Sequence, residues 1–275
     1  MLFDTHCHLN FSAFVGQVDE TIKRSLEVGV NYIMVPGTDV ETSKKAVEIA
    51  SSVTLSSTKG VDIYAAVGIH PHHIYGYLTS HTTTDDLGEI EDLLSHPKIL
   101  AIGEIGIDRH VYKKTKYHDY DIEQKFIDLQ KESLRKQIKL AIKYKKSLIF
   151  HNREAKKDFL EILRDFSGVL TGKAVLHCCE PDTELLDFAR SNKLFIGVDG
   201  DIAYRQDKQE FIKQVPLDML VLETDSPFLA PDRKFPNEPA RISFIAEFIA
   251  NIIKVSKNDL AKITTGNAKK LFNIK

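Results

Sequence analysis

Residues 2–8 read LFDTHCH, a short apolar run that ends in two imidazoles one residue apart. In an extended strand, residues two apart share a face, so His6 and His8 emerge side by side while Cys7 points away. Alone, an HxH pair is weak, because a surface strand with two histidines reads the same way. Its meaning depends on what the rest of the chain does with the same pattern. Seven more short apolar runs follow: NYIMVPG (31–37), DIYAAVG (62–68), ILAIG (99–103), SLIFH (147–151), KAVLH (173–177), LFIGVDG (194–200) and MLVLETD (219–225). Between them lie segments with apolar residues three and four apart, such as TSKKAVEIASSV (42–53) and EQKFIDLQKESLRKQIKLAIKYKK (123–146). That is the spacing of amphipathic helices. Strands alternating with helices make βα units and a parallel sheet, since parallel neighbours need a crossover. Eight such strands in 275 residues favour a closed (β/α)8 TIM-type barrel over an open doubly wound sheet. The expected class is α/β, with one barrel and a single domain over residues 1–275, because no linker, repeat or low-complexity stretch divides the chain.

Formal net charge is −2, so no global basic field draws in nucleic acid or anionic membrane. A nucleic-acid substrate would have to be held by local groups or by metal. The three cysteines, Cys7, Cys178 and Cys179, form no CxxC pair and no even disulfide framework, which points to a reducing compartment. The N-terminus lacks the basic start and long apolar core of a secretory signal. The stretch ISFIAEFIANII (242–253) is interrupted by Glu247 and Asn251 and is too short to span a bilayer. The expectation is a cytoplasmic chain with no membrane partner, a monomer by default. Its lysine-rich pieces, VYKKTKYHDYD (111–121) and KLAIKYKK (139–146), read as solvated surface.

The ends of the apolar runs change the weight of the histidine pair. Glu104 follows ILAIG, His151 closes SLIFH, His177 closes KAVLH, and Glu223 and Asp225 close MLVLETD. Barrel active sites sit at the C-terminal ends of the strands. An unpaired carboxylate placed just after a buried run would be costly. Each residue alone has a plainer reading: Glu104 or Asp225 could cap a turn, and His151 or His177 could be a satisfied core histidine. Together, the imidazoles of His6, His8, His151 and His177 with the carboxylates of Glu104 and Asp225 exceed one tetrahedral site and suit two adjacent ions. Arg153, two residues after His151, is a candidate grip on a substrate phosphate, or else a surface partner of Glu154 or Asp158. His70 ends the third strand and is a second substrate-binding candidate, or else a group that braces a metal ligand. His72 and His73 are expected to face solvent, and Cys7 to be buried and structural. Cys179, two after His177, is weighed as an extra soft ligand. No GxSxG elbow is present, and GVLTGKA (168–174) is one residue short of a phosphate loop.

The same stretches carry a family resemblance. FDTHCHLN (3–10), AAVGIHPHH (65–73), IGEIGID (102–108), LIFHNREA (148–155), VLHCCE (175–180), FIGVDGDIAY (195–204), LVLETDSPFLAP (220–231), NEPARI (237–242) and NAKKLF (267–272) run in order along the chain. As a set they resemble the TatD family of metal-dependent deoxyribonucleases, within the metal-dependent hydrolases of barrel fold. The resemblance implies His6, His8, Glu104, His151, His177 and Asp225 as metal ligands, with Glu104 bridging two ions. It also implies DNA as the substrate, trimmed as single strands from the 3′ end. The chain departs from the family pattern at Cys178, Cys179, Glu180 and Pro181, where Cys-Phe-Ser-Gly is usual. It departs again after Asp108, where Arg109 and His110 replace an aromatic pair. Neither change removes a ligand.

Two divalent ions lower the pKa of a water from ~15.7 towards ~7 and neutralise charge on a phosphate under attack. Glu104 and Asp225 are the catalytic carboxylates in this reading, Asp225 orienting the water and accepting its proton. Four histidines suit zinc, manganese, cobalt or nickel, whereas magnesium prefers oxygen, so the ion stays open. A rival enzyme class is a barrel amidohydrolase acting on small amides, lactones or cyclic ureas. Many of those bridge their metals with a carbamylated lysine at a strand end, and here no apolar run ends in lysine. A non-catalytic barrel scaffold is the third reading, and the presence of all six donors weighs against it.

Overall fold

The eight apolar runs become eight parallel strands: β1 (Leu2–Asp4), β2 (Val30–Pro36), β3 (Asp62–Val67), β4 (Ile99–Asp108), β5 (Ser147–Arg153), β6 (Ala174–Leu176), β7 (Phe195–Val198) and β8 (Leu220–Leu222). The computed structural model describes residues 1–52, 60–79, 86–113, 115 and 117–275. Strands pair in chain order from β1 to β8. Between β8 and β1 the ladder gives way to a single bridge, Cys7 with Ser226. Three backbone bonds back it: Thr5 N to Leu222 O (3.1 Å), Asp225 N to His6 O (2.9 Å) and His8 N to Ser226 O (2.7 Å). The barrel is thus closed by the segments that carry His6, His8 and Asp225.

Helices α1 (Val18–Glu27), α2 (Val40–Ser52), α3 (Gly76–Thr79), α4 (Asp86–Leu93), α5 (Gln124–Tyr144), α6 (Lys156–Asp165), α7 (Ser167–Leu170), α8 (Thr183–Asn192) and α9 (Gln206–Ile212) lie in the crossovers, and α10 (Ile242–Ile253) and α11 (Lys257–Leu271) follow the last strand. The expected helix over 42–53 lies within α2, with Val53 outside the described residues. Among the described residues, no helix is long and apolar enough to cross a membrane.

Every strand contributes one side chain to an inner apolar cluster: Phe3, Met34, Ala66, Ala101, Ile149, Val175, Phe195 and Val221. Ala268, Leu271 and Phe272 close it from below, with the Phe272 ring 5.7 Å from that of Phe3. Ser147, the first residue of β5, donates its hydroxyl to the Leu271 carbonyl at 2.5 Å, which marks this as the N-terminal face. A barrel filled in this way is a packed core, so polar chemistry is left to the opposite mouth. Side chains alternate along a strand, so the residue two beyond an inner one points the same way, one step nearer that mouth. His151 stands over Ile149 in this way, His177 over Val175, and Glu223 then Asp225 over Val221. Strand β4 differs from expectation. It runs on to Asp108 instead of ending at Gly103, with a break in register between Ile102 and Ile105. Glu104 sits in that break, 4 % exposed. The break is possible because residue 103 is glycine: a Cβ there would fall 2.6 Å from the Cβ of Ile149.

Candidate metal centre

All six sequence-derived donors converge at the mouth. The Nε2 atoms of His6 and His8 are 3.1 Å apart. Glu104 Oε2 lies 3.5 Å from the first and 3.7 Å from the second, and Asp225 Oδ1 lies 3.8 and 3.6 Å from them. The other oxygen of Glu104 faces a second set. Its Oε1 is 2.8 Å from His151 Nδ1, 3.8 Å from His177 Nε2 and 3.8 Å from His70 Nε2. His177 Nε2 is also 3.7 Å from Asp225 Oδ1. Three groups of donor atoms, each within 4.8 Å, follow: His6–His8–Glu104, His6–His177–Asp225 and His70–Glu104–His151. His70, expected to touch substrate or to brace a ligand, is therefore placed among the donors.

A ring of outer contacts orients these donors, as second partners do around metal-bound imidazoles. His8 Nδ1 lies 3.2 Å from the Pro36 carbonyl, which leaves Nε2 for the mouth. His177 Nδ1 lies 3.0 Å from Glu223 Oε1, an oxygen that also accepts the Cys178 backbone N–H at 2.6 Å. His151 is held from its far side by Asp108, whose Oδ2 is 3.0 Å from Nε2. The same carboxylate oxygen meets His72 Nε2 at 3.1 Å and accepts the Tyr112 hydroxyl at 2.9 Å. Helix α5 anchors this wall through two buried glutamines seven residues apart. Gln130 accepts the Asp108 N–H (2.8 Å) and donates to its carbonyl (3.2 Å), and Gln137 does the same for Ile69 (2.8 and 3.0 Å).

The electrostatics suit cations. Burial pushes His6 and His8 down, His8 to about 3, so both are neutral and can offer a lone pair. Burial alone would raise Glu104, but the imidazoles of His70, His151 and His6 outweigh it and hold the carboxyl well below the usual range. Burial carries Asp225 well above its ordinary value, with His177 opposing and Glu104 adding to the rise. Burial also disfavours charge on His151 and His177, yet their carboxylate neighbours prevail and lift them to about 9 and about 10. The carboxylates thus favour positive charge at both ends of the cluster. Nitrogen and carboxylate donors in a dry, anionic recess fit divalent ions with nitrogen affinity.

Several expectations are corrected. His72 and His73 do not face solvent: the turn Pro71–Tyr75 folds back over the mouth, burying the His72 ring against Asp108 and Tyr117. His73 Nδ1 is 3.0 Å from Asp39 Oδ2, and its Nε2 is 3.0 Å from the Tyr117 hydroxyl. The segment 111–121 is only partly solvated surface, because Tyr112, Tyr117 and Tyr120 are half-buried and pack against this turn; Lys114 and Lys116 lie outside the described residues. Among the described residues Cys179 joins no donor group, its Sγ lying 3.6 Å from the Glu180 carbonyl, whereas Cys178 belongs to an outer group with His177 and Glu223. Arg153 pairs with neither Glu154 nor Asp158. It donates to the Tyr112 hydroxyl at 3.2 Å, while Glu154 meets His110 and Asp158 meets Arg109 and Lys131. Sequence reading missed Asp108 as an orienting group, although it closes the quoted stretch IGEIGID. It also missed the paired glutamines, visible as polar residues on the apolar face of α5.

Comparison with known proteins agrees with this geometry. The family model for TatD related DNases matches residues 3–273. An uncharacterized metal-dependent hydrolase of Bacillus subtilis, YabD, is 34% identical, with 100% of each chain covered. The 3′-5′ ssDNA/RNA exonuclease TatD of Erwinia tasmaniensis is 28% identical across 99% of this chain and 100% of its own. The crystal structure of YjjV, a TatD homologue from Escherichia coli, superposes with a TM-score of 0.84 at 26% identity, covering 100% of this chain and 98% of the other. Likeness along nearly the whole length, joined to a donor cluster of this kind, places the chain in the TatD family: it is a metal-dependent hydrolase acting on ester bonds.

Proposed function

We propose that the chain acts over residues 1–275 as one catalytic unit, a cytoplasmic monomer that removes nucleotides from the 3′ end of single-stranded DNA with two divalent ions. The observation that carries the two-ion reading is the division of Glu104, one oxygen towards His6 and His8 and the other towards His151, His177 and His70. A carboxylate so placed bridges two positions without moving. Ions bound there would neutralise phosphate charge and acidify an attacking water. His6, His8 and Asp225 would hold one ion and His151 and His177 the other, with His177 also 3.7 Å from Asp225 between the two positions.

Asp225 orients the water and takes its proton. Its Oδ1, 3.6–3.8 Å from the Nε2 atoms of His6, His8 and His177, puts it within reach of a water held at the cluster. Arg153, exposed at the mouth and braced by Tyr112, grips a phosphate of the departing strand. His70 positions the scissile phosphate beside Glu104. The name of the Erwinia relative supports the choice of substrate and polarity. Digestion of 5′-labelled and 3′-labelled single-stranded oligonucleotides, with and without chelator, tests the reading. The 3′ label is expected to leave first as mononucleotide, and excess chelator to stop it. Undiminished cleavage in chelator would overturn the metal mechanism, and turnover of small amides or lactones in place of DNA would favour the amidohydrolase class.

A further inference from the structure

Nine large hydrophobic residues are exposed among the described residues, and three of them are phenylalanines: Phe228, Phe235 and Phe244. Phe244 is on α10, away from the donors in sequence, but Phe228 and Phe235 belong to the loop that follows β8, three and ten residues after Asp225. Their rings form a continuous series with the metal centre. His8 stacks on Phe11 (centroids 4.2 Å apart, 13° between planes). Phe228 stands edge-on to both, 6.2 Å from Phe11 and 6.5 Å from His8. Phe235 continues the series outward, 6.4 Å from Phe228. The outer two rings are 45% and 69% exposed.

This loop is fixed to the catalytic strand end. Phe228 N donates to the Asp225 carbonyl at 2.8 Å. Asn237, almost fully buried, donates its amide to the carbonyls of Thr224 (2.9 Å) and Phe228 (2.7 Å), and its N–H bonds to Pro227 O at 2.9 Å. An exposed aromatic ring is costly to leave in water, and this one is held in place at the rim of the cluster that contains Asp225. A surface of that kind suits a flat, partly apolar ligand attached to the group bound at the metals.

We propose that Phe228, backed by Phe11 and Phe235, is a stacking platform for the base of the terminal nucleotide whose phosphodiester lies at the metal centre. The inference rests on the nuclease reading above and adds the group that recognises the base. Nucleobases stack on aromatic side chains with little sequence preference, because each presents a π-face. The platform therefore distinguishes a nucleotide end from a bare sugar-phosphate end, and not one base from another.

The chain contains no tryptophan, so Phe228→Trp installs a single fluorescent reporter on the platform. Its emission is expected to be quenched by a thymidine oligonucleotide and not by an oligonucleotide of the same length whose 3′ nucleotides are abasic, a readout that needs no turnover. In kinetics, Phe228→Ala should raise KM on the order of tenfold for the base-bearing end and leave the abasic end unchanged, with Phe228→Trp restoring the loss. Phe244→Ala should alter neither. Equal quenching by both oligonucleotides, or an equal kinetic loss on both ends, would overturn the platform. Hydrolysis without base-dependent quenching sinks the platform but spares the nuclease reading; base-dependent quenching without hydrolysis supports the platform and sinks the nuclease reading.

Discussion

Gly197→Ala is a one-carbon change that should damage the metal centre without touching a ligand. Gly197 lies on β7, and a Cβ built there would fall 2.5 Å from Glu223 Oε2 and 2.6 Å from both Cδ and Oε1. Ordinary contact begins at 3.4 Å, so the carboxylate would have to retreat by about 0.9 Å. Glu223 is fully buried. Its retreat would break the 2.6 Å bond from the Cys178 N–H and the 3.0 Å contact with His177 Nδ1. Losing a hydrogen bond to a charged group costs about 1.5–3 kcal/mol. Overpacking a dense interior adds roughly 1–3 kcal/mol. Partial relaxation leaves an expected destabilisation of about 3–5 kcal/mol, large for a single substitution. Metal affinity should fall about 10–100-fold, because His177 loses the partner that aims its Nε2. Urea unfolding followed by far-ultraviolet circular dichroism measures the first effect, and calorimetric titration with zinc or manganese the second. The decisive comparison is the same change in a Glu223→Ala background, where no carboxylate opposes the methyl group. If Gly197→Ala costs as much there as in the parent, the clash with Glu223 is not its cause and the argument fails.

Other outcomes follow from the same geometry. Asp225→Ala should lower turnover about 10²–10⁴-fold with an unchanged circular dichroism spectrum, and a fully active variant would remove Asp225 from its role as base. Asp108→Asn should weaken metal binding about 10–100-fold, measured by competition with a chelating dye, since His151 loses its anionic brace; unaltered affinity would show that the contact is not orienting. Gln130→Leu strands the buried N–H and carbonyl of Asp108 and should cost about 2–4 kcal/mol in urea, against near-neutrality if those groups find other partners. In chelated protein, His151 and His177 titrate at about 9 and about 10, above the 6.5 of an unperturbed imidazole. The folded state therefore binds more protons, and the stabilisation from these two groups is complete below pH 6.5 and lost as pH rises through 9 to 10. The urea midpoint in excess chelator should fall across that window; a flat or rising midpoint would contradict the assignment.

The strand count, the barrel class and the convergence of His6, His8, Glu104, His151, His177 and Asp225 were legible in the sequence, because each depends on a local rule. Apolar runs become strands, the period of two fixes which neighbours share a face, and residues past a strand end lie at one mouth. What chain pattern could not supply was direction beyond the strand ends. His72 and His73 have the composition of a solvated turn, and only packing of Pro71–Tyr75 against Tyr117 and Asp108 turns them inward. Glu104 reads as a strand terminus, yet pairing with β5 carries the strand past it and lets its two oxygens face different donors. Glu223 and Asp225 are two apart and share a face, but Gly197 gives the first room to sit behind His177 while the second reaches the mouth. Residue types and spacing along one strand are written locally; the separation of donors from the groups that aim them depends on contacts between strands distant in sequence, and those exist only once the barrel has closed.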